Sequence, residues 1–322
     1  MIITFTANPS LDRTIELPGP LARGEVQRAV AAAQQPGGKG VNVSRALVAS
    51  AEESLALLPG DDDDAVVAAL RAEGIPHRTL PIGRPLRSNV TVTEPDGTTT
   101  KINEPGPTLT DAQRAELLAL VVSHGADASW LVLAGSLPPG LPEDFYVEVI
   151  LEVRSRWGAR APRIAVDSSG APLAAVLAAG PDAAPDLIKP NAEELAELTG
   201  VGHGDSLESD PEEAARAAAG LVEGGVGTVL ATLGSKGALV VTAQETFRAT
   251  HPPVTARSTV GAGDSSLAGF LIASTRGADL AGCARQAVAH GAAAASLPGS
   301  SVPTLEQTTP DAVELTPLTR SI

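Results

Sequence analysis

Short apolar runs alternate with longer Ala- and Leu-rich stretches along almost the whole chain, and this rhythm limits the possible folds more than any single residue does. A run of roughly four to eight apolar residues bounded by turn residues suits a strand buried on both faces. Such runs fall at 2–6, 54–58, 129–134, 163–167, 186–188, 228–233 and 238–242. Spacing and end signals predict helices over 41–50, 65–73, 111–124, 142–157, 171–179, 192–199, 211–223, 262–275 and 280–296. Strands that alternate with helices are joined by crossovers, so the expected class is α/β, with a mainly parallel sheet covered on both faces.

Two stretches break the rhythm. Residues 13–36 read as extended segments interrupted by Pro18, Gly19, Pro20 and Gly24, and 88–94 and 98–103 flank the turn Pro95-Asp96-Gly97. Their alternation predicts a small β-sheet with one open face, a lid formed by about 13–36 and 87–104 within a single domain spanning 1–322. The Pro- and Thr-rich tail after Ser300 reads as surface packing.

Composition narrows the partners. A formal charge of −15 is unsuited to coating nucleic acid or an anionic membrane, which leaves small molecules as the expected ligands. No apolar run is long enough to cross a bilayer, and the single cysteine, Cys283, excludes an intrachain disulfide framework. With no basic leader at its start, the chain is expected in the cytoplasm. Four lysines, Lys39, Lys101, Lys189 and Lys236, stand among 23 basic residues. Either codon bias left them over, or each supplies a compact point charge where the planar arginine fork does not fit.

The sharpest motif is Ser258-Thr-Val-Gly261-Ala262-Gly263-Asp264-Ser265, which runs into a helical stretch. Gly261 and Gly263 allow a tight turn whose N–H groups converge at a helix N-terminus, an arrangement suited to an anion. Asp264, in the first turn, could take a proton from an attacking hydroxyl while that turn stabilises a transferring phosphoryl group, or it could simply favour the helix dipole. Beside an anion hole its pKa is expected to be low.

Other loops add context. Pro36-Gly-Gly38-Lys39-Gly-Val-Asn42 is not a Walker A loop, since Gly40 stands where Ser or Thr is required; its glycines let backbone approach a ligand that Lys39 and Asn42 could touch. Asn8 to Asp12 follow a first strand, at the end of a parallel sheet where ligands bind. In Lys189-Pro190-Asn191-Ala-Glu193-Glu194, Asn191 and Glu194 have capping-box spacing. Thr232-Leu-Gly234-Ser-Lys236-Gly237 suits nucleotide phosphates or an ordinary hairpin. Adjacent carboxylates at 61–64 cannot all point one way, so this run reads as a solvated loop rather than a cation site. The five histidines have no ligand spacing and read as surface or packing residues.

Together these segments resemble the PfkB (ribokinase-like) family of carbohydrate kinases over nearly the whole chain. The two signature regions match at Gly37-Gly-Lys-Gly-Val-Asn42 and at Ser258 to Ser265. Gly135-Ser136-Leu-Pro-Pro-Gly140, Asp167-Ser-Ser-Gly170, Lys189-Pro-Asn191 and Asn103-Glu-Pro-Gly106 are most similar to the phosphosugar branch, which includes 1-phosphofructokinase and tagatose-6-phosphate kinase.

The resemblance implies a three-layer α/β/α sandwich with a mainly parallel central sheet and a β-sheet lid, and a homodimer joined through the lid. It implies ATP-dependent phosphorylation of a ketohexose phosphate, fructose 1-phosphate to fructose 1,6-bisphosphate, with tagatose 6-phosphate or fructose 6-phosphate as alternative substrates. A sugar-phosphate or nucleotide sensor without turnover is the alternative of a different class. Residue by residue, it implies Asp264 as catalytic base, with Gly261, Ala262 and Gly263 as anion hole. Asp12, Gly38 and Asn42 would hold sugar hydroxyls, and Lys39, Arg87 and Ser136 the substrate's phosphate. Asn191 and Glu194 would organise Mg²⁺ through water, while Lys189, Asn191, Thr232, Gly234, Gly237 and Gly291 would serve ATP. One departure is plain: after the second core strand, Pro59-Gly60 leads straight into Asp61 to Asp64, where relatives have a glycine-rich loop.

Overall fold

Side chains alternate across each strand, and that alternation sorts the helices into two layers. The computed structural model describes residues 1–318. Its strands, in chain order, are β1 (Ile2–Thr6), β2 (Ser10–Glu16), β3 (Ala31–Gly37), β4 (Ser54–Pro59), β5 (His77–Leu80), β6 (Arg87–Thr93), β7 (Thr99–Asn103), β8 (Trp130–Ala134), β9 (Arg163–Asp167), β10 (Leu187–Ile188), β11 (Thr228–Thr232), β12 (Ala238–Thr242), β13 (Thr246–Thr250) and β14 (Glu314–Pro317). Its helices are α1 (Lys39–Ala49), α2 (Ala65–Ala72), α3 (Asp111–His124), α4 (Phe145–Trp157), α5 (Gly170–Ala178), α6 (Ala192–Thr199), α7 (Gly204–Ser209), α8 (Pro211–Glu223), α9 (Ala262–Thr275) and α10 (Leu280–Ala295).

Ile3 and Phe5 of β1 and Leu131 and Leu133 of β8 turn to one face, where α3, α4, α5, α6 and α8 pack. Ile2, Trp130, Val132 and Ala134 turn to the other, under α1, α9 and α10. The result is the α/β/α sandwich expected from the rhythm. Ten strands form one sheet in the order β14-β13-β12-β11-β10-β9-β8-β1-β4-β5, parallel from β5 to β11 and antiparallel from β11 to β14. A separate four-stranded sheet, β3-β2-β6-β7, is built from two stretches of the chain, and its first strand starts at Ser10.

Several elements lie outside the predicted pattern. β5, β13 and α7 are short, and the tail after Ser300 does more than cover surface: Val313 is buried in the core and β14 pairs with β13. The acidic run is likewise no free solvated loop. Asp61 accepts from the N–H groups of Ile82 and Gly83, Asp62 pairs with Arg71, and Asp64 caps α2 and accepts from Leu86 N–H. Three of the four carboxylates thus have fixed structural partners, and two of them pin the approach to β6.

Three of the seven aromatic rings meet beneath the carboxyl end of β1. Phe5 packs against Phe145 and edge-on against Tyr146, at 6.2 and 6.4 Å between centroids. The buried Tyr146 hydroxyl is within 3.1 Å of Ala134 O and 3.0 Å of Gly135 O, which ties α4 to the turn after β8. Tyr146→Phe strips those carbonyls of a donor, so chemical denaturation should show a loss of about 1–2 kcal/mol; an unchanged midpoint would mean that the hydroxyl contributes nothing.

Candidate active site

Strand order alone locates the crevice. From β1 the chain goes first to β4 and β5 on one side and later to β8, β9 and β10 on the other, so the carboxyl ends of β1 and β8 flank the point where the sheet reverses direction. Asn8 follows β1, Ser136 follows β8, Asp167 ends β9, and Lys189 follows β10. All open onto that crevice's rim, as does the N-terminus of α9.

Gly261 has φ +76° and caps α9 in the left-handed conformation, which turns the Gly263 N–H group to the helix end, while the Ala262 N–H, expected in the anion hole, donates to Thr259 O at 3.3 Å. Asp264 sits in this first turn, buried, and accepts a 2.8 Å hydrogen bond from Asn42 Nδ2 of α1. Its pKa is pushed up to about 6, chiefly by burial and then by the nearby Asp167 charge. This corrects the expectation of a low value: lost hydration and the Asp167 charge, neither visible in the motif, outweigh Lys189, the Asn42 hydrogen bond and Lys39, which act the other way.

Beside Asp264 lies a buried ionic cluster. Lys39 Nζ is 2.7 Å from Asp167 Oδ1 and 3.3 Å from Glu194 Oε1, and Lys189 Nζ is 3.2 Å from Asp167 Oδ2. Lys39 therefore lies with Lys189 and Glu194 rather than alongside Arg87. Asn191 and Glu194 form the capping box of α6: Glu194 N–H donates to Asn191 Oδ1, and Asn191 N–H donates to Glu194 Oε2. A short bridge joins Asn191 to Thr232, at the end of β11. Gly234 and Gly237, with positive φ, form the β11–β12 hairpin; a Cβ on Gly237 would strike Ala249 O. Gly291 lies on α10, where a Cβ would meet Ser266 Oγ of α9, so it lets the two helices close behind the catalytic turn.

The second group gathers under the small sheet. Register places Asp12 of β2 opposite Asn89 of β6, and Ser10 opposite both Gly37 and Arg87. Asp12 Oδ1 accepts from Ser10 Oγ and Asn89 Nδ2, while Gly37 leaves room that a Cβ would take from the carboxylate. Gly38, at φ +106°, leads into α1 against Thr6 and Pro9. Arg87 donates to Asn8 O and Glu104 O, and Asn8 Nδ2 donates to Pro105 O and Ser136 Oγ. Asn8 Oδ1, Asn42 Oδ1, Asn89 Oδ1 and Arg87 Nε are buried yet make no hydrogen bond among the described residues. Buried polar groups rarely stay unpaired, so this pocket suits a polyhydroxylated ligand. A cleft of about 420 Å³ lined by Leu11, Asp61, Asp64, Arg84 and Arg87 adjoins it, which brings the divergent acidic loop to the pocket's border.

Two groups of residues, one facing a buried carboxylate on an anion-binding turn and one lined with unpaired polar atoms, fit a kinase for a polyol. The profile of the pfkB family carbohydrate kinases matches residues 6–307. The chain belongs to that family. It is 36% identical over 294 residues to a 1-phosphofructokinase of Xanthomonas campestris pv. campestris, covering 89% of this chain and 88% of that protein. It is 33% identical to the ATP-dependent 6-phosphofructokinase isozyme 2 of Escherichia coli, covering 91% and 92%. Among solved structures, phosphofructokinase-2 of Escherichia coli in complex with potassium superposes with a TM-score of 0.84 at 30% identity, over 95% of this chain and 96% of that one. This pfkB-family chain is thus a sugar-phosphate kinase of the phosphofructokinase type. Asn8, Asn89, Gly37 and Asp167 complete its two residue groups without having been singled out from sequence for a site role. Asn8 and Asp167 stood inside noticed motifs, while Asn89 carries no local signal and meets Asp12 only through strand register.

Proposed function

We propose that this enzyme transfers the γ-phosphoryl group of ATP to fructose 1-phosphate, giving fructose 1,6-bisphosphate. The observation that carries the reading is Asp264, buried on the Gly261–Gly263 turn and fixed by Asn42, with two lysine ammoniums nearby. The sugar lies between Asp12, Gly38 and Asn42 with its phosphate toward Arg87 and Ser136, and its free primary hydroxyl reaches Asp264. In the transfer step the P–O bond to ADP breaks, a P–O bond to the hydroxyl oxygen forms, and the hydroxyl proton passes to Asp264. The Gly263 N–H group and Lys189 stabilise charge on the moving phosphoryl group. Closure of the small sheet excludes water, which would otherwise compete as acceptor. Lys39, held between Asp167 and Glu194, is read here as a charge on the nucleotide side of the pocket, with Thr232, Gly234 and Gly237 along the nucleotide.

Among the described residues no cluster of three or more His, Cys, Asp or Glu side chains could hold a metal ion directly. That suits Mg²⁺, which keeps several waters and takes other oxygens from phosphates. Glu194, whose oxygens retain lone pairs beyond the capping bond and Lys39, would hold it through water together with Asn191; when bound, the ion neutralises charge on the ATP phosphates.

Relatives at similar identity, named for the 6-phosphofructokinase reaction, favour fructose 6-phosphate as a second reading. ADP release measured with fructose 1-phosphate, fructose 6-phosphate and tagatose 6-phosphate separates them. The highest kcat/KM is expected for fructose 1-phosphate; a preference for either 6-phosphate overturns the assignment, and binding without any ADP would mean a sensor. Activity should also fall as pH drops through about 6, where Asp264 becomes protonated and can no longer accept the proton. A kcat/KM profile flat down to pH 5 would remove it as base.

We also infer a homodimer joined through the small sheet. Val26 and Val30 in the β2–β3 connection are 97% and 64% exposed and Ile102 of β7 is 59% exposed, and a solved neighbour is described as the tetrameric inhibited form of phosphofructokinase-2 from Escherichia coli. Light scattering at micromolar concentration should give twice the chain mass.

A further inference from the structure

Asp167 ends β9 with no solvent exposure. A carboxylate there is tolerable only with partners, and it has two: Lys39 Nζ at 2.7 Å and Lys189 Nζ at 3.2 Å. The two lysines depend on it differently. Lys39 is part exposed and also reaches Glu194, whereas Lys189 is 4% exposed and its ion pair is with Asp167. The Lys189 ammonium is also 3.2 Å from where a Cβ on Gly263 would stand, against the first turn of α9 and next to Asp264. A flexible four-carbon stem does not choose that location by itself; the fixed oxygen at the end of a central strand does.

We propose that Asp167 is a positioning residue for phosphoryl transfer, holding the Lys189 ammonium against the Gly261–Gly263 turn, while Lys39 balances the second oxygen. The proposal rests on the reading of that turn as the place of transfer. Asp167 touches neither substrate nor reacting atoms in this scheme and acts through Lys189. Burial would raise its carboxyl pKa, but the two ammoniums hold it below the ordinary carboxylate value, so it remains the anion this role needs.

The test is a double-mutant cycle of Asp167→Asn and Lys189→Met, read by kcat, by phosphosugar KM, by ATP affinity from calorimetry without sugar, and by the pH profile. Asp167→Asn should lower kcat by about 10- to 100-fold and weaken ATP binding by about tenfold, with phosphosugar KM changed less than about threefold. The charged groups facing Asp264 are Asp167, Lys189 and Lys39, so removing the Asp167 charge should also move the acid limb of kcat/KM to lower pH. The double variant should match Lys189→Met within about threefold in both kcat and ATP affinity. It removes both buried charges at once and so serves as the folded comparison where Asp167→Asn alone misfolds. A drop in thermal stability with kcat, ATP affinity and acid limb unmoved would make Asp167 a packing residue only. A further tenfold loss in the double variant would show that it does not act through Lys189. Failure of the base assignment reads out separately, as normal turnover in Asp264→Asn.

Discussion

Asp264→Asn should leave the KM values for phosphosugar and ATP close to wild type while kcat falls roughly 10²- to 10⁴-fold, the usual contribution of a positioned general base. The substitution keeps the shape of the side chain, and its amide oxygen can still accept from Asn42 Nδ2, so the local geometry survives. The same variant should be more stable than the parent. The native pKa of about 6 lies above the ordinary 3.8, so between these values the native state binds the proton more tightly than the unfolded chain does. Stability from this group is therefore greatest below pH 3.8 and is lost as pH rises through about 6. Above that the ionised, buried carboxylate costs about 3 kcal/mol, an order-of-magnitude figure that asparagine avoids. Thermal unfolding at pH 8 should show the gain and at pH 4 little of it. Near-normal kcat, or a loss of stability at pH 8, would contradict the assignment.

Arg87→Gln should act on the other substrate and the other constant. If Arg87 meets the sugar phosphate with charge-assisted bonds as proposed, removing its charge should raise phosphosugar KM by roughly 10²-fold, about 2.7 kcal/mol, with kcat at saturation within a few-fold and ATP KM unmoved. Arg87 Nε is buried without a partner, whereas both terminal nitrogens already donate to Asn8 O and Glu104 O. Fructose itself, lacking the phosphate, gives the control: its already poor kcat/KM should hardly change. An unchanged phosphosugar KM would reduce Arg87 to a strut between the small sheet and the segment after β1.

What could be read from the sequence follows the range over which each signal acts. The strands from β1 to β12 in the large sheet, apart from β5, are apolar runs or sit before obvious turns, and every predicted helix is present. β14 is four polar-leaning residues, Glu-Leu-Thr-Pro, whose pairing with β13 depends on where the tail lands and has no periodic trace. In the site, the glycine turn before Asp264 and the Asn191–Glu194 cap were legible because each is local. The raised pKa of Asp264, the salt bridges of Lys39 and the burial of Asp167 depend on β9, α1, α6 and α9 converging, which no short segment records.

A net charge of −15 opposes two anionic substrates, so attraction has to be local. In the proposed scheme Lys39, Lys189 and Arg87 supply it, each anchored on a rigid element or its immediate end.

The chain passes from β1 through Ala7, Asn8 and Pro9 into β2, and from β3 through Gly38 alone into α1, whereas its later crossings, from β5 to β6 and from β7 to α3, run through longer connections. Asp12 and Asn42 therefore lie a few residues either side of the two joints. In the proposed scheme a lid grafted from a relative would carry Asp12 and Arg87 with it and leave Asn42 and Ser136 behind. Exchange of the small sheet would therefore change specificity only together with matched substitutions in α1 and after β8.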